Sequence, residues 1–177
     1  MHRLFVAIRP PAEIRRALIA LMGGVAGARW QDDDQLHITL RFIGEVDGRM
    51  ADDVAAALGA VHCPPLELSV SGVGMFDRKG RVDTLWAGIA PRDAIERLHR
   101  KIDQALVRIG LPAEMRAYLP HITLARFGRE AGPLDAFNAL HGGLSLPPFH
   151  AAHFCLYESH MGHTGSSYEI IERYRLG

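Results

Sequence analysis

The sequence of 177 residues has little cysteine, little lysine and no long apolar run. Cys63 and Cys155 are too few for a disulfide framework or a four-cysteine metal site. Lys79 and Lys101 are the only lysines, and 20 Lys+Arg balance 20 Asp+Glu, so no global basic field collects long nucleic acid. Charges interrupt every apolar stretch well before the roughly 18–20 residues that span a bilayer. The N-terminal apolar run is also short for a signal peptide, which favours a cytoplasmic location with no membrane contact.

The composition is that of an ordinary globular protein, with 48% apolar and 23% charged residues. A chain of this length buries roughly 70% of its unfolded surface, so its core needs no disulfide or structural metal. We therefore expect one domain over residues 1–177, built as two small lobes packed together. Any anionic substrate must be bound by a local group of side chains.

Apolar periodicity places strands and helices in alternation. Pro10 opens one helix, Asp47 caps another, and Pro91 begins a third that runs to Ile109. A short helix is expected around residues 134–140. Strands are predicted near residues 4–8, 36–44, 66–75, 85–89, 120–128, 149–157 and 167–174, with a turn at 161–165.

The tetrapeptide His-Ile-Thr-Leu occurs twice, at residues 37–40 and 121–124, each on a predicted strand. The two copies lie about half a chain apart and each precedes a helix, so the chain is predicted to be two similar halves. Alternation on a strand puts the His and Thr of each copy on one face, toward a shared cleft, and its Ile and Leu in the core. The same alternation places Arg41 beside the cleft and Phe42 in the core, and turns Arg126 away from His121 unless a bulge intervenes.

Two imidazoles and two hydroxyls around one cleft suit acid/base chemistry on a phosphodiester. Imidazole titrates near neutral pH, so one histidine can accept a proton while the other donates one, each contributing about 10²–10⁴-fold. Hydroxyl groups donate hydrogen bonds to phosphate oxygens, and no metal or other cofactor is required. Because the two motifs are identical, the residues alone leave open which histidine is the acid.

The paired motifs resemble those of the 2H phosphoesterases, in particular the RNA 2′,3′-cyclic phosphodiesterases, also named 2′-5′ RNA ligases. The resemblance covers the whole chain. It implies an α+β, bilobal, pseudo-twofold fold with two mainly antiparallel sheets lining a central cleft and helices outside. The matching segments are residues 3–8 (RLFVAI), Trp30, 37–45 (HITLRFIGE), 85–88 (LWAG), 119–126 (LPHITLAR) and 156–159 (LYES).

The family reaction is hydrolysis of a 2′,3′-cyclic phosphate on an RNA 3′ end or a nucleotide to a 2′-phosphomonoester, with 2′-5′ ligation as its reverse. The resemblance implies that His37 donates the proton to the leaving 3′ oxygen and that His121 accepts one from water. Thr39 and Thr123 would bind the non-bridging oxygens, and Arg126 would help bind phosphate or nucleotide. A base would stack on an aromatic side chain, for which Phe42, Tyr118 and Trp30 are the candidates.

Two alternatives stay open, namely another 2H substrate, such as a small cyclic nucleotide or 2′-5′ oligoadenylate, and an RNA-end-binding module without turnover. The remaining histidines are expected to have ordinary roles. Those at 150, 153, 160 and 163 are interpreted as solvated loop histidines without a metal, and those at 62, 99 and 141 as surface residues. Residues 32–34 are expected to form a solvated acidic turn, and the protein to be a monomer.

Overall fold

The computed structural model describes all 177 residues as one curled antiparallel sheet of nine strands with four α-helices. The α+β class is therefore confirmed. No helix is both long and apolar enough to cross a membrane. In chain order the elements are β1 (His2–Ile8), α1 (Ala12–Ala20), β2 (Ala28–Trp30), β3 (Ile38–Val46), α2 (Gly48–Leu58), β4 (Leu66–Arg78), β5 (Arg81–Ala90), α3 (Arg92–Arg108), β6 (His121–Phe127), α4 (Asp135–His141), β7 (Phe149–Ala151), β8 (His153–Gly162) and β9 (Gly165–Arg175).

The sheet has two wings that meet at its centre. Its strand order is β7-β4-β5-β6-β3-β1-β8-β9, with β2 added on β6. We call β3, β1, β8 and β9 the His37 wing, and β6, β5, β4 and β7 the His121 wing. The two wings join where Ile38 of β3 pairs with Ile122 of β6. The two predicted antiparallel sheets are thus continuous through the centre of the motifs.

The strand order also shows how the two halves of the sequence are combined. The elements β1-α1-β3-α2-β4 and β5-α3-β6-α4-β8 have the same order of strands and helices. Strand β4 of the first half pairs with β5 of the second, and β8 of the second pairs with β1 of the first. Each wing therefore contains strands from both halves, and neither half forms a wing alone.

One large apolar cluster joins the sheet to its helices. The helix predicted to begin at Pro91 is confirmed as α3, and its apolar side chains Ile95, Leu98, Ile102 and Leu106 have no exposed surface. Burial of each such side chain stabilises the fold by about 1.5–3 kcal/mol. The predicted cap of α2 is also present, since the Asp47 carboxylate accepts a hydrogen bond of 2.8 Å from the Met50 amide.

Several predicted boundaries were wrong. The β4–β5 hairpin is longer than expected because Lys79 and Gly80 both take left-handed backbone conformations, which form a tight turn that matches strand twist. The segment 149–157 is two strands, β7 and β8, that pair with different neighbours. Strand β2 has no counterpart in the predictions. In the acidic segment 32–34, Asp33 and Asp34 lie in a short 3-10 helix that Asp32 caps through reciprocal hydrogen bonds with Gln35.

Candidate active site

The central pairing of β3 with β6 brings the two motifs together. Ile38 and Ile122 are opposite each other and fully buried, so the side chains on either side of them in sequence point to the other face. These are the half-buried His37 and Thr39 and the half-buried residues at 121 and 123. In an antiparallel register, each histidine then lies opposite the threonine of the other motif.

The two histidine rings are held in the same way. The Nδ1 of His37 is 2.7 Å from the carbonyl oxygen of Gln35, and the Nδ1 of His121 is 2.8 Å from that of Leu119. A carbonyl oxygen only accepts, so Nδ1 carries the proton and Nε2 is the basic nitrogen in each neutral ring. The Nε2 of His37 lies 3.0 Å from the Thr39 hydroxyl, which donates to it.

Aromatic side chains from neighbouring strands surround both imidazoles. The ring centroid of His37 is 5.0 Å from Phe5 and 5.3 Å from Tyr168, which meets it edge-on. His121 has an equivalent setting, with Phe76 edge-on at 5.0 Å and Trp86 at 6.0 Å. These contacts restrict ring rotation and keep much of the water away from the two rings.

Burial lowers the pKa of both histidines. Desolvation is the main cause for His37 and takes its pKa from 6.5 to about 4, with further lowering by the charges of Arg126 and His121. For His121 desolvation is again the main cause, and Arg126 again lowers the pKa. The Gln35 and Leu119 carbonyl groups act in the opposite direction. Both imidazoles are therefore mainly neutral at pH 7 in the protein alone.

A β-bulge follows each motif and reverses the side-chain alternation. Ala7 pairs with Thr39 and Val6 with Arg41, so Leu40 is an extra residue in β3. In β6 the extra residue is Leu124, because Trp86 pairs with Thr123 and Leu85 with Ala125. Both extra leucines are buried. The residues two places after them, at 42 and 126, consequently share the face of the histidines.

The bulge in β3 makes the predicted position of Phe42 wrong. The bulge in β6 is the one that Arg126 needed in order to share the face of His121. Phe42 was expected in the core, but its side chain is 44% exposed. It lines one cavity together with His37, Thr39 and Arg126. The same kind of bulge in both motifs therefore places two side chains in the cavity beside His37. They are the aromatic ring of Phe42 from the first copy and the guanidinium group of Arg126 from the second.

Arg41 was expected beside the cleft on the face of His37; it lines the cavity beside His121, but its guanidinium group is bound by other residues of the protein. The side chain is only 7% exposed, and its Nε donates to the Asp103 carboxylate at 2.8 Å. It also donates to the carbonyl oxygens of Phe42 and Pro112. The bulge turns Arg41 to the face of β3 opposite His37, where it fixes α3 and the loop after it against β3.

We expect Arg41→Met to lower the free energy of unfolding by about 3 kcal/mol, because it leaves the largely buried Asp103 carboxylate without its partner. Urea denaturation measures this change. Arg100→Met is the matched control, since Arg100 is exposed and its pairing with Glu96 at 3.7 Å contributes at most about 0.5 kcal/mol. Equal, small losses in the two variants would contradict a structural role for Arg41.

His99 and Tyr118 support the first bulge, and the sequence did not indicate this. His99 was expected at the surface but is buried, with Nδ1 2.6 Å from the Leu40 carbonyl oxygen. Its ring stacks on Tyr118 at 4.2 Å, and the Tyr118 hydroxyl donates to the Thr39 carbonyl oxygen at 2.8 Å. Tyr118 therefore holds the motif backbone. The sequence contained one sign of this burial, because His99 directly follows Leu98, one of the apolar residues that α3 buries.

The third aromatic candidate, Trp30, is not at the cleft. It lies in β2, where it packs against the core and has its ring centroid 5.9 Å from that of Phe137. Of the three aromatic candidates, Phe42 alone combines exposure with a position beside the motif side chains.

Two cavities meet at Thr39 and Phe42. The cavity beside His121 measures about 680 Å³, and the cavity beside His37 about 370 Å³. The walls of the His37 cavity include Arg3 and Arg126 and no acidic residue. In the His121 cavity three acidic residues accompany the arginines. The two sides of the cleft therefore differ in charge, with the basic side next to His37.

A group of metal-ligand type lies away from both histidines. Ligand atoms of Glu158, His160 and Glu169 are within 4.8 Å of one another on the β8–β9 hairpin. Glu158 pairs with Leu4, whose side chain is in the main core, so this group is on the face opposite His37. His160 was expected in a loop, but it lies in β8 and is 3.1 Å from the Glu169 carboxylate.

Comparisons with known proteins agree with this geometry. Residues 6–163 match the model of the 2′-5′ RNA ligase superfamily. The RNA 2′,3′-cyclic phosphodiesterase of Escherichia coli is 30% identical over 99% of this chain and 97% of its own, and that of Thermotoga maritima 29% over 96% and 92%. The crystal structure of E. coli LigT complexed with 3′-AMP superimposes with a TM-score of 0.79 at 26% identity, covering 99% of this chain and 98% of that one.

Proposed function

The chain belongs to the 2′-5′ RNA ligase superfamily, and we propose that it hydrolyses the 2′,3′-cyclic phosphodiester of an RNA end or nucleotide to a 2′-phosphomonoester. One observation carries the proposal: the Ile38–Ile122 pairing sets both His-x-Thr motifs on one face, with each Nδ1 bonded to a carbonyl group. Because the site needs both copies of the motif, we propose that residues 1–177 act as one bilobal domain.

The reaction is an in-line displacement at phosphorus. Water attacks the phosphorus atom and transfers a proton to Nε2 of His121. The bond from phosphorus to the 3′ oxygen breaks, and that oxygen takes a proton from Nε2 of His37. The 2′ oxygen keeps the phosphate, and proton exchange with solvent restores both rings. These roles for His37 and His121 come from the family resemblance, since the motif geometry is nearly symmetric.

Three further side chains complete the proposed site. The hydroxyl groups of Thr39 and Thr123 bind the non-bridging oxygens, and Arg126 adds a charge on the same face. These donors stabilise the negative charge that builds up on the phosphoryl oxygens in the transition state. The lowered pKa of His37 makes its protonated form a stronger acid, and the negative charge of a bound phosphate favours that protonated form. This residue set supplies acid, base and charge stabilisation without a cofactor.

The same site catalyses the reverse reaction in principle. If a 5′-hydroxyl group takes the place of water, attack on the cyclic phosphate forms a 2′-5′ linkage, and microscopic reversibility assigns the same two histidines to it. In water, hydrolysis is the main reaction. One chain supplies every residue of the proposed site, so we propose that the protein acts as a monomer. We also propose that it acts in the cytoplasm.

A panel of substrates tests the specificity. The panel contains a short RNA with a 2′,3′-cyclic end, a 3′,5′-cyclic nucleotide and a 2′-5′ oligoadenylate, with His121→Ala as the inactive control. We expect kcat/KM for the RNA to exceed that for each other compound by about tenfold or more, since discrimination of this size needs only about 1.4 kcal/mol. A preference for 2′-5′ oligoadenylate or for the 3′,5′-cyclic nucleotide would contradict the proposal. Tight binding of the RNA without turnover would instead identify a binding module.

A further inference from the structure

A groove extends from the His37 cavity along the edge strand β9. The His37 cavity shares Ser166 and Tyr168 with a second cavity of about 430 Å³. The second cavity shares Arg9 and Ile170 with a third, of about 290 Å³, which reaches Arg173. We call these three connected cavities the β9 groove. At one end it includes the cavity beside His37 in the proposed active site.

The side chains of β9 that face this groove form a regular series. Tyr168 pairs with Ser159, Ile170 with Tyr157 and Arg173 with Cys155, and the pairing skips one residue at 171. That bulge keeps Arg173 on the same face as Tyr168 and Ile170. From residue 166 to residue 173 the strand extends about 23 Å, at about 3.3 Å per residue. A hydroxyl group, an aromatic ring, an aliphatic side chain and a guanidinium group thus follow one another along the groove.

Charge distinguishes this groove from the cavity on the other side of the cleft. Five arginines line the three cavities, against two aspartates. Arg9 and Arg15 are paired with the acidic residues at 33 and 34, whereas Arg173 has no ion pair. In the His121 cavity, three arginines face three acidic residues, and one of those arginines is the buried Arg41. In a chain of zero net charge, the β9 groove therefore has a local excess of positive charge.

Tyr157 adds a polar atom without a partner to the groove wall. Its side chain is 4% exposed and lines the second cavity, yet its hydroxyl group has no hydrogen-bond partner. The nearby Cys155 thiol is at most a weak hydrogen-bond partner of this hydroxyl group. Buried polar groups are rarely left unsatisfied, so this hydroxyl is a buried donor beside the groove that the fold itself does not pair.

We propose that the β9 groove binds the nucleotides upstream of the terminal cyclic phosphate in a single-stranded RNA substrate. The proposal rests on the function proposed above and extends it, because the substrate is then an oligonucleotide whose body lies on the His37 side. Tyr168 and Ile170 offer surfaces for bases. Arg173 offers a donor for a backbone oxygen. Proteins usually bind single-stranded nucleic acid in a basic groove in which bases stack on aromatic side chains.

A length series tests this groove. The quantity measured is the ratio of kcat/KM for a trinucleotide with a 2′,3′-cyclic end to that for the cyclic mononucleotide. We expect a ratio of about ten or more for the wild type. Arg173→Gln should lower the ratio by about five- to tenfold and reduce the dependence of log kcat/KM on log salt by about 0.7, the loss of one phosphate contact on a single strand. Arg78→Gln, in the His121 cavity, is the matched control and should keep the wild-type ratio.

The outcomes separate the two proposals. A wild-type ratio near one, with turnover of both substrates, would overturn the groove and leave the proposed function intact. An equal fall in the ratio for Arg78→Gln and Arg173→Gln would place the RNA elsewhere and also overturn the groove. Should neither substrate turn over, the proposed function fails, and fluorescence anisotropy with a trinucleotide 2′-phosphate still tests the groove. In that case Arg173→Gln must weaken Kd at least fivefold more than Arg78→Gln does, or the groove is excluded.

Discussion

His37→Ala and His121→Ala should each lower kcat by about 10²–10⁴-fold, the usual contribution of a positioned acid or base. Steady-state hydrolysis of an RNA with a 2′,3′-cyclic end measures the loss. Both rings lie at the edge of the core, so circular dichroism and urea denaturation must show that the variants are folded. His163→Ala is the matched control, because His163 is exposed in the turn between β8 and β9. Wild-type turnover in either cleft variant would contradict the two-histidine mechanism.

Replacing the leaving oxygen then separates the two roles. A substrate with sulfur in place of the 3′ oxygen has a leaving group that needs little protonation. We expect this substrate to restore most of the activity of His37→Ala and to leave His121→Ala impaired. Restoration of His121→Ala alone would reverse the assignment of acid and base. The two motifs are nearly symmetric in structure, so their geometry does not assign the acid and the base. This experiment assigns them.

The second large effect is on the pH profile of kcat/KM, which reports the ionisation of the protein alone. Activity needs one histidine protonated and the other neutral. Burial lowers the pKa of His37 to about 4 and that of His121 below 6.5, so the protonated form is lost at lower pH than for a free imidazole. We expect a bell-shaped profile with its maximum below pH 6.5 and a fall of about 10²-fold between pH 6.5 and 8.5, at about tenfold per pH unit.

Arg126 provides the control for this profile. Its charge lowers the pKa of both histidines, so Arg126→Gln should move the basic limb of kcat/KM to higher pH while weakening substrate binding. The profile of kcat should lie at higher pH than that of kcat/KM, because the bound phosphate stabilises the protonated ring. A single sigmoid, or a maximum of kcat/KM above pH 7.5, would contradict a site made of two buried imidazoles.

Much of the site was predictable because its pattern is local. The repeated tetrapeptide singled out His37, Thr39, His121 and Thr123 as candidates, and strand alternation correctly placed them on the face opposite Ile38 and its counterpart. Prediction failed where alternation itself is interrupted. Nothing in the sequence marks Leu40 or Leu124 as an extra residue, and each bulge changes the face of the residues that directly follow it in its strand. That single cause accounts for the wrong face of the strand predicted for Phe42 and for Arg41.

Apolar periodicity does not predict contacts between strands that are far apart in the sequence. Tyr168 reaches His37 from β9, and Phe76 reaches His121 from β4, because β4 and β8 cross over to pair with the opposite half of the sequence. Likewise, the role of His99 depends on α3 packing against β3, where the ring meets the Leu40 carbonyl oxygen. Apolar periodicity places an element and its buried face, but the partner of a polar group follows from the topology.

The position of the phosphate in the product tests the central claim most directly. The purified protein is incubated, with a chelator present, with a short RNA that ends in a 2′,3′-cyclic phosphate, and the product is identified by mass spectrometry and phosphorus NMR. The account predicts a 2′-phosphomonoester that forms at the same rate with and without chelator and at least about 10²-fold more slowly with His37→Ala or His121→Ala. A 3′-phosphate product, a rate that depends on added metal, or an intact cyclic end with folded protein would contradict it.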